Sequence, residues 1–181
     1  AFDTSGQDNH GTIFGAEIVA GKIGQALHFD GRDDYVYVDP SGSLRFSQSI
    51  TVACWVKVDR STGDHQVILA QNYADTRCHC IEFQPDGQTP QFSILTSTGP
   101  RTYAISKVKV PLNEWVHLVG TYDGSIVRIY VNGTLTGSSS LPGEIGVENL
   151  PIQMGAHVVA WDRNWFSGIL DEVKIYNRAL E

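Results

Sequence analysis

Along this chain, apolar residues recur at every second position far more often than at helical spacing. In SITVACWVKVD (49–59), Ile50, Val52, Cys54, Val56 and Val58 fall on one face and Thr51, Ala53, Trp55 and Lys57 on the other, the pattern of a strand. Comparable runs predict strands near 11–15, 25–30, 34–38, 49–58, 66–71, 78–84, 91–96, 102–109, 114–122, 126–131, 134–139, 150–155 and 167–177. Between them stand STGD (61–64), PDG (85–87), STGP (97–100) and DGS (123–125), residues that supply positive φ or a preset turn. Asn132-Gly133, between IVRIYV and TLTGS, is the dipeptide a two-residue hairpin turn wants. About a dozen short strands with tight turns and no helical period predict an all-β fold of two packed antiparallel sheets, a sandwich or jelly roll. No repeat, low-complexity tract or linker divides the chain, so residues 1–181 read as a single domain.

Composition narrows the partners. Thirteen basic against twenty acidic side chains leave a net charge of −7 with no Lys/Arg cluster, which argues against nucleic acid and against an anionic membrane surface. No apolar run approaches the roughly 20 residues that span a bilayer. A chain that begins at Ala1 and stops after Leu180-Glu181 reads as a domain excised from a longer protein. Three cysteines are few for a disulfide scaffold. Cys54 could bridge Cys78 or Cys80, or all three could be small buried residues, which is the simpler expectation. A zinc site would want a second closely spaced ligand pair, and the six histidines show no such spacing.

Candidate chemistry starts from an anomaly. In FSGILDEVKIYNRAL (166–180), alternation places Asp171 in one row with Ile169, Val173 and Ile175, and a buried carboxylate must find a cation, a cluster of donors or a metal. AFDTSGQDNHG (1–11) and HFDGRDDYV (28–36) are rich in Asp, Asn and Gly, the oxygen-donor chemistry Ca²⁺ prefers. A structural Ca²⁺ is therefore expected on Asp171, with Asp3 and Asp30 next and Asp33, Asp34 or the Gly31 carbonyl completing the shell.

Trp55 and Trp115 lie in regular alternating segments and are expected in the core. Trp161 and Trp165 flank Asp162, Arg163 and Asn164 where alternation breaks down, a composition suited to stacking a sugar ring while polar groups pair with its hydroxyls. A second polar-aromatic cluster, QNYADTRCHC (71–80), offers Tyr73, Arg77 and His79. Paired carboxylates for glycoside hydrolysis are not evident among Glu82, Glu144, Glu148, Asp171 and Glu172, and there is no nucleophile elbow, P-loop or dinucleotide fingerprint.

The ordered segments DTSGQDNHGT, GKIGQALHFDGRDDYVYV, SITVACWVKV, EWVHLVGTYDGSIVRIYVNG and FSGILDEVKIYNRAL resemble the laminin-G-like jelly roll of the concanavalin A-like lectin/glucanase superfamily, from Asp3 to about Leu180. The resemblance implies an extracellular two-sheet sandwich, often appended to secreted glycoside hydrolases, sialidases or surface proteins and frequently binding carbohydrate. It also implies a Ca²⁺ held by Asp3, the Asp30-Gly31 turn and Asp171, and packing roles for Trp55, Trp115 and Phe166. Enzymes of this sandwich carry an E-x-D-x-E type strand, which is absent here.

The expectation is thus a secreted or cell-surface, non-catalytic, lectin-like carbohydrate-binding module stabilised by Ca²⁺. Its partners would be a glycan or polysaccharide and a fused catalytic domain. The alternatives are an extracellular protein-interaction or adhesion module and, behind it, a polysaccharide hydrolase or lyase.

Overall fold

The computed structural model describes residues 1–180 apart from 74–75, 147–148 and 158–163, and of residues 72–78 only the backbone placement in strands. In chain order the strands are β1 (Gly11–Phe14), β2 (Glu17–Ala20), β3 (Gln25–Asp30), β4 (Tyr35–Val38), β5 (Ile50–Val58), β6 (Gln66–Tyr73) and β7 (Thr76–Phe83). They continue as β8 (Pro90–Leu95), β9 (Arg101–Ile105), β10 (Val116–Tyr122), β11 (Ile126–Val131), β12 (Thr134–Ser140), β13 (Ile152–Met154) and β14 (Ser167–Tyr176). One 3-10 turn, Gly42–Leu44, precedes β5. The strands form two antiparallel sheets, a front sheet ordered β1-β4-β13-β6-β7-β8-β9 and a back sheet ordered β12-β11-β10-β5-β14-β3-β2. The expected all-β jelly-roll sandwich is the observed fold.

The alternation read from β5 is what builds the core. Ile50, Val52, Cys54, Val56 and Val58 are all buried and face the front sheet's Leu69, Ile81, Phe83, Phe92 and Ile94 across the interior. Phe29 and Phe166 meet edge-on at 6.0 Å, and the Tyr122 hydroxyl donates to the Leu141 carbonyl at 2.8 Å, so the one polar tip there is paired. The sheets approach so closely that a Cβ on Gly120 of β10 would lie 2.3 Å from the Phe92 ring. They also meet along one flank, where the Lys107 amide donates to the Thr136 carbonyl and the Ser139 hydroxyl to the Tyr103 carbonyl.

Several expectations change. Trp55 and Trp115 are not core residues: Trp55 projects from the outer face of the back sheet, half-buried, with the Lys22 ammonium 4.8 Å from its ring centre and His117 beside it, and Trp115 is likewise half-buried. Phe166 is buried completely. Cys54 and Cys80 are both buried and lie on opposite sheets, so they are not disulfide partners, the Cys78 side chain lies outside the described residues, and burial pushes the Cys54 thiol up to about 12. Several strands depart from the sequence reading: β2 is an additional edge strand, β9 ends at Ile105 rather than at 109, β10 begins at Val116 rather than at 114, and β13 is confined to Ile152–Met154.

Asp171 is buried, at 5% exposure, but not in the row alternation gave it. Ile169 and Asp171 pair with Lys57 and Trp55, on the outer face of the back sheet, whereas Ile175 pairs with the interior Val52. A bulge between Asp171 and Lys174, with Glu172 at φ 49°, switches the faces. The carboxylate has found backbone donors: the Ile23 amide reaches one oxygen and the Glu172 amide the other, each at 2.8 Å. Asp171 thereby staples the turn between β2 and β3 onto the outer face of the back sheet.

Candidate functional site

Where the front sheet turns its outer face away from the core, period-2 geometry presents Glu82 of β7, Gln91 of β8 and Tyr103 and Ile105 of β9. Strand residues on such a face are ordinarily solvent-exposed, yet Glu82 is only 2% exposed and Gln91 1%. Further along the same face Val67, Ala70 and Cys80 form a small second buried cluster. The connection that leads into β14 is tied down here, since the Val67 amide donates to the Asn164 carbonyl. What remains open beside it is a groove of about 700 Å³, with Glu82, Gln84 and Gln91 as its floor. Its walls come from Asp64 and His65 before β6, from Arg101, Tyr103 and Ile105 of the edge strand, and from His157 and Asn164, which lie between β13 and β14 in sequence.

The floor is a hydrogen-bonded relay. Gln84 donates its amide to Gln91, and Gln91 Nε2 donates to Glu82 Oε1 at 2.7 Å. His65 Nδ1 stands 4.0 Å from the other Glu82 oxygen. Arg101 Nη1 donates to Ser93 Oγ at 3.2 Å. Tyr103 is 40% and Ile105 48% exposed, so an aromatic ring and an apolar side chain stand at the rim beside this polar floor. The groove therefore combines fixed donors and acceptors with one apolar platform, the arrangement of a binding site for a small polar molecule with hydrophobic faces.

A second depression, about 400 Å³, adjoins the first through Asp64 and is lined by Gly31, Arg32, Arg60, Thr62 and Trp165. Trp165 is half-buried and lies 6.4 Å from the Tyr35 ring, which in turn stacks on Phe14 at 4.6 Å. Beside it runs the turn after β3. There Asp30, Asp33 and Asp34 bring carboxylate oxygens within 4.8 Å of one another. The Asp30 amide donates to Asp34, the Arg32 amide to Asp30, and the Arg60 guanidinium to the Asp30 carbonyl. Burial, followed by the charges of Asp30 and Asp33, holds the Asp34 carboxyl above its ordinary range, opposed by the Asp30 amide. Crowded hard oxygens of this kind fit a Ca²⁺ ion in chemistry, with three side chains supplied by one turn.

The expected metal ligands do not all converge. Asp3 closes its own N-terminal loop, accepting the Ser5 and Asn9 amides at 2.9 Å, which together with the Ser5 hydroxyl lower its carboxyl below the ordinary range. Asp171 is spent on Ile23 and Glu172. It also lies four residues along β14 from Ser167, the residue that pairs with Asp30. Asp30, Gly31, Asp33 and Asp34 share the one turn.

Among the expected ligand-binding residues, Asn164 lines the groove and Trp165 the adjoining depression. Trp161, Asp162 and Arg163 lie outside the described residues, as do the side chains of Tyr73 and Arg77 at the facing ends of β6 and β7. His79 cannot face a ligand from this surface: it points inward, pairs across the sheet with Ile94, packs against Phe46 and is 0% exposed. Sequence reasoning missed Asp64, His65, Gln84, Gln91, Arg101, Tyr103, Ile105 and His157, and weighed Glu82 only as a catalytic carboxylate. They are scattered through five segments, and nothing local in any of them marks a site.

Comparison with known proteins supplies the family. No curated protein sequence matches the chain. Among solved structures, the binding domain of Paraclostridial Mosquitocidal Protein 1 superposes with a TM-score of 0.80 at 22% identity over 99% of this chain. The binding domain of Botulinum Neurotoxin DC, solved in complex with SialylT, does so at 0.73 and 15%. This chain spans only 46% and 45% of those two domains, respectively. Domain 4 of AbnA, an extracellular GH43 arabinanase from Geobacillus stearothermophilus, solved in complex with arabinotriose, is 26% identical with a TM-score of 0.75, covering 94% of this chain and 84% of that domain. Residues 30–181 match the laminin-G family model, and the chain belongs to the concanavalin A-like lectin/glucanases superfamily.

Proposed function

We propose that this chain is a non-catalytic carbohydrate-binding module of an extracellular protein, and that it takes its glycan in the groove on the outer face of the front sheet. One observation carries the reading: an exposed ring with an apolar neighbour, Tyr103 and Ile105, borders a floor of buried amide and carboxylate groups, Gln91 and Glu82. A sugar ring lays its C–H face on the platform while its hydroxyls pair with Glu82, Gln91, Gln84 and Asn164, whose orientations are set in advance by the floor relay and by burial. Preorganised polar groups of this kind cost little ordering entropy on binding. The arabinotriose complex of a domain similar over most of its length supports a glycan as the ligand class.

The non-catalytic part of the reading rests on the supply of carboxylates. Two carboxylates line the groove and they are unlike: Gln91 already occupies one oxygen of the buried Glu82, and Asp64 is exposed on the wall, whereas glycoside hydrolysis needs two carboxyl groups set across the scissile bond. An extracellular location is supported by the arabinanase domain, which belongs to an extracellular enzyme, and among the described residues no helix is long and apolar enough to cross a membrane. A Ca²⁺ ion, if held, belongs on Asp30, Asp33 and Asp34, where it would neutralise the turn beside Trp165 and fix that wall of the second depression.

Calorimetric titration with a panel of oligosaccharides that includes arabinotriose tests the reading. Binding is expected to weaken by about tenfold, roughly 1.4 kcal/mol, in both Tyr103→Ala and Gln91→Ala. No bound glycan in the panel, or affinity unchanged in both variants, would overturn it.

A further inference from the structure

One end of the back sheet is left open. β9 and β12 hold each other at one flank and Ala1 covers part of β1, but among the described residues nothing pairs with the outer edge of β2. Its register and one turn hydrogen bond fix which groups that edge offers. Glu17 pairs with His28, Ile18 with Leu27, Val19 with Ala26 and Ala20 with Gln25, and the Gly21 amide donates to the Gly24 carbonyl. Hydrogen-bonded and non-hydrogen-bonded pairs alternate along an antiparallel ladder. Counting back from Gly21, Val19 and Glu17 are the residues bonded to β3, and Ile18 and Ala20 direct both amide and carbonyl outward. The flank is apolar as well. Phe2 at 91%, Ile18 at 63% and Ile23 at 59% are the most exposed large apolar residues among those described, and all three lie at or beside these two edges.

From this edge we infer that the chain pairs with a second copy of itself, β2 against β2, antiparallel about a two-fold axis through Val19. The edge is self-complementary in that register. Ile18 of each copy faces Ala20 of the other, and these are the residues whose backbone groups point outward, so each such pair exchanges two hydrogen bonds. A slip of one residue would set outward groups against inward ones. The charges favour the same mate. Glu17 shares the outer face of the back sheet with His28, and it comes opposite Gly21 of the second copy, next to Lys22, whose ammonium lies on that face over Trp55. A two-fold axis makes this opposite-charge approach twice. Two seven-stranded back sheets thus become one continuous sheet, and growth stops there because each copy has spent the open edge of its back sheet on the other. Strands of four residues make a contact at the small end of specific interfaces, so the dimer dissociates on dilution. The inference stands apart from the glycan reading.

Sedimentation velocity from about 1 μM to about 1 mM protein reads the association. The mass is expected to move from that of one chain toward that of two, and no further. At the high end, exchange of the Ile18 and Ala20 amides should slow at least about tenfold against dilute protein, with Val19 unchanged because its amide is already bonded to β3. Ala20→Pro removes an outward amide and spares the ladder to β3, since proline is tolerated on the open side of an edge strand. Ile18→Lys sets an ammonium on each side of the axis, at a position already exposed, and keeps the test decisive if the proline disturbs the hairpin. Both variants should stay monomeric over the whole range. A single-chain mass throughout overturns the inference, as does a dimer that persists in both folded variants. So does a dimer in which Ile18 and Ala20 exchange as fast as in dilute protein. None of these outcomes bears on whether the groove takes a glycan.

Discussion

His79 should make this domain lose stability in mild acid. Its ring sits at 0% exposure between Phe46 and Ile94, and neither ring nitrogen has a hydrogen-bond partner. Burial, reinforced by the nearby Arg101 charge, pushes the imidazole from 6.5 down to about 3. The folded state therefore keeps His79 neutral at a pH where the unfolded chain has already bound a proton. For a group whose folded pKa is depressed, protons favour the unfolded state, so stability is full above 6.5 and is lost as pH falls toward 3. Between 6.5 and pH 5 the interval is about 1.5 pH units at 1.36 kcal/mol each, or about 2 kcal/mol lost from this one residue.

The assay is urea unfolding of the wild type and of His79→Leu at pH 7.5, 6 and 5. The variant removes the titrating group and replaces an unpaired polar ring with an apolar side chain, so at pH 7.5 it should be no less stable than the wild type. Its loss on going to pH 5 should be smaller by about 2 kcal/mol. His117, also held below its ordinary range mainly by desolvation, contributes in the same direction to both proteins and cancels in the comparison. Parallel pH profiles for the two proteins would refute the reasoning, as would a His79 ring that titrates near 6.5 by NMR.

Asp171→Ala should release the turn between β2 and β3, leaving the Ile23 amide without its partner, at a cost of about 1–3 kcal/mol in urea unfolding, with faster hydrogen exchange at Ile23 as the local signature. Added Ca²⁺ is expected to raise the melting temperature reversibly against EDTA, and Asp33→Asn to abolish that rise while Asp3→Asn preserves it. A rise that survives Asp33→Asn, or no rise in the wild type, would remove the ion from the turn after β3.

How far the sequence reached depends on distance along the chain. Period-2 alternation located thirteen of the fourteen strands because an inner-facing row must be apolar, and β5 shows that rule directly. The strand it missed, β2, is a four-residue edge piece whose residues are largely exposed, so burial imposed no pattern on it. Alternation failed for Asp171 where a bulge at Glu172 exchanged the two faces of β14, a backbone event that leaves no mark in residue type. It did set Trp55 on the face opposite Ile50 and Val52; expecting that indole in the core let size outweigh position. The groove was the least legible feature. Glu82 and Gln91 occupy positions that period 2 assigns to solvent, yet both are buried, and the groove they floor is completed by His157 and Asn164 from far along the chain.

The flank where β9 and β12 meet bears on how the domain behaves among many copies of itself. Open sheet edges are templates for intermolecular strand pairing. Here the end strand of each sheet spends hydrogen bonds on the other, and Gly137 lets β12 settle so close to the Ile105 carbonyl that any side chain at that position would collide with it. At the opposite end of the front sheet, Ala1 and Gly11 exchange backbone hydrogen bonds and so occupy part of the edge of β1. Aggregation by strand addition is left with little besides β2, four residues long with Glu17 at its start, a template too short to propagate a fibre.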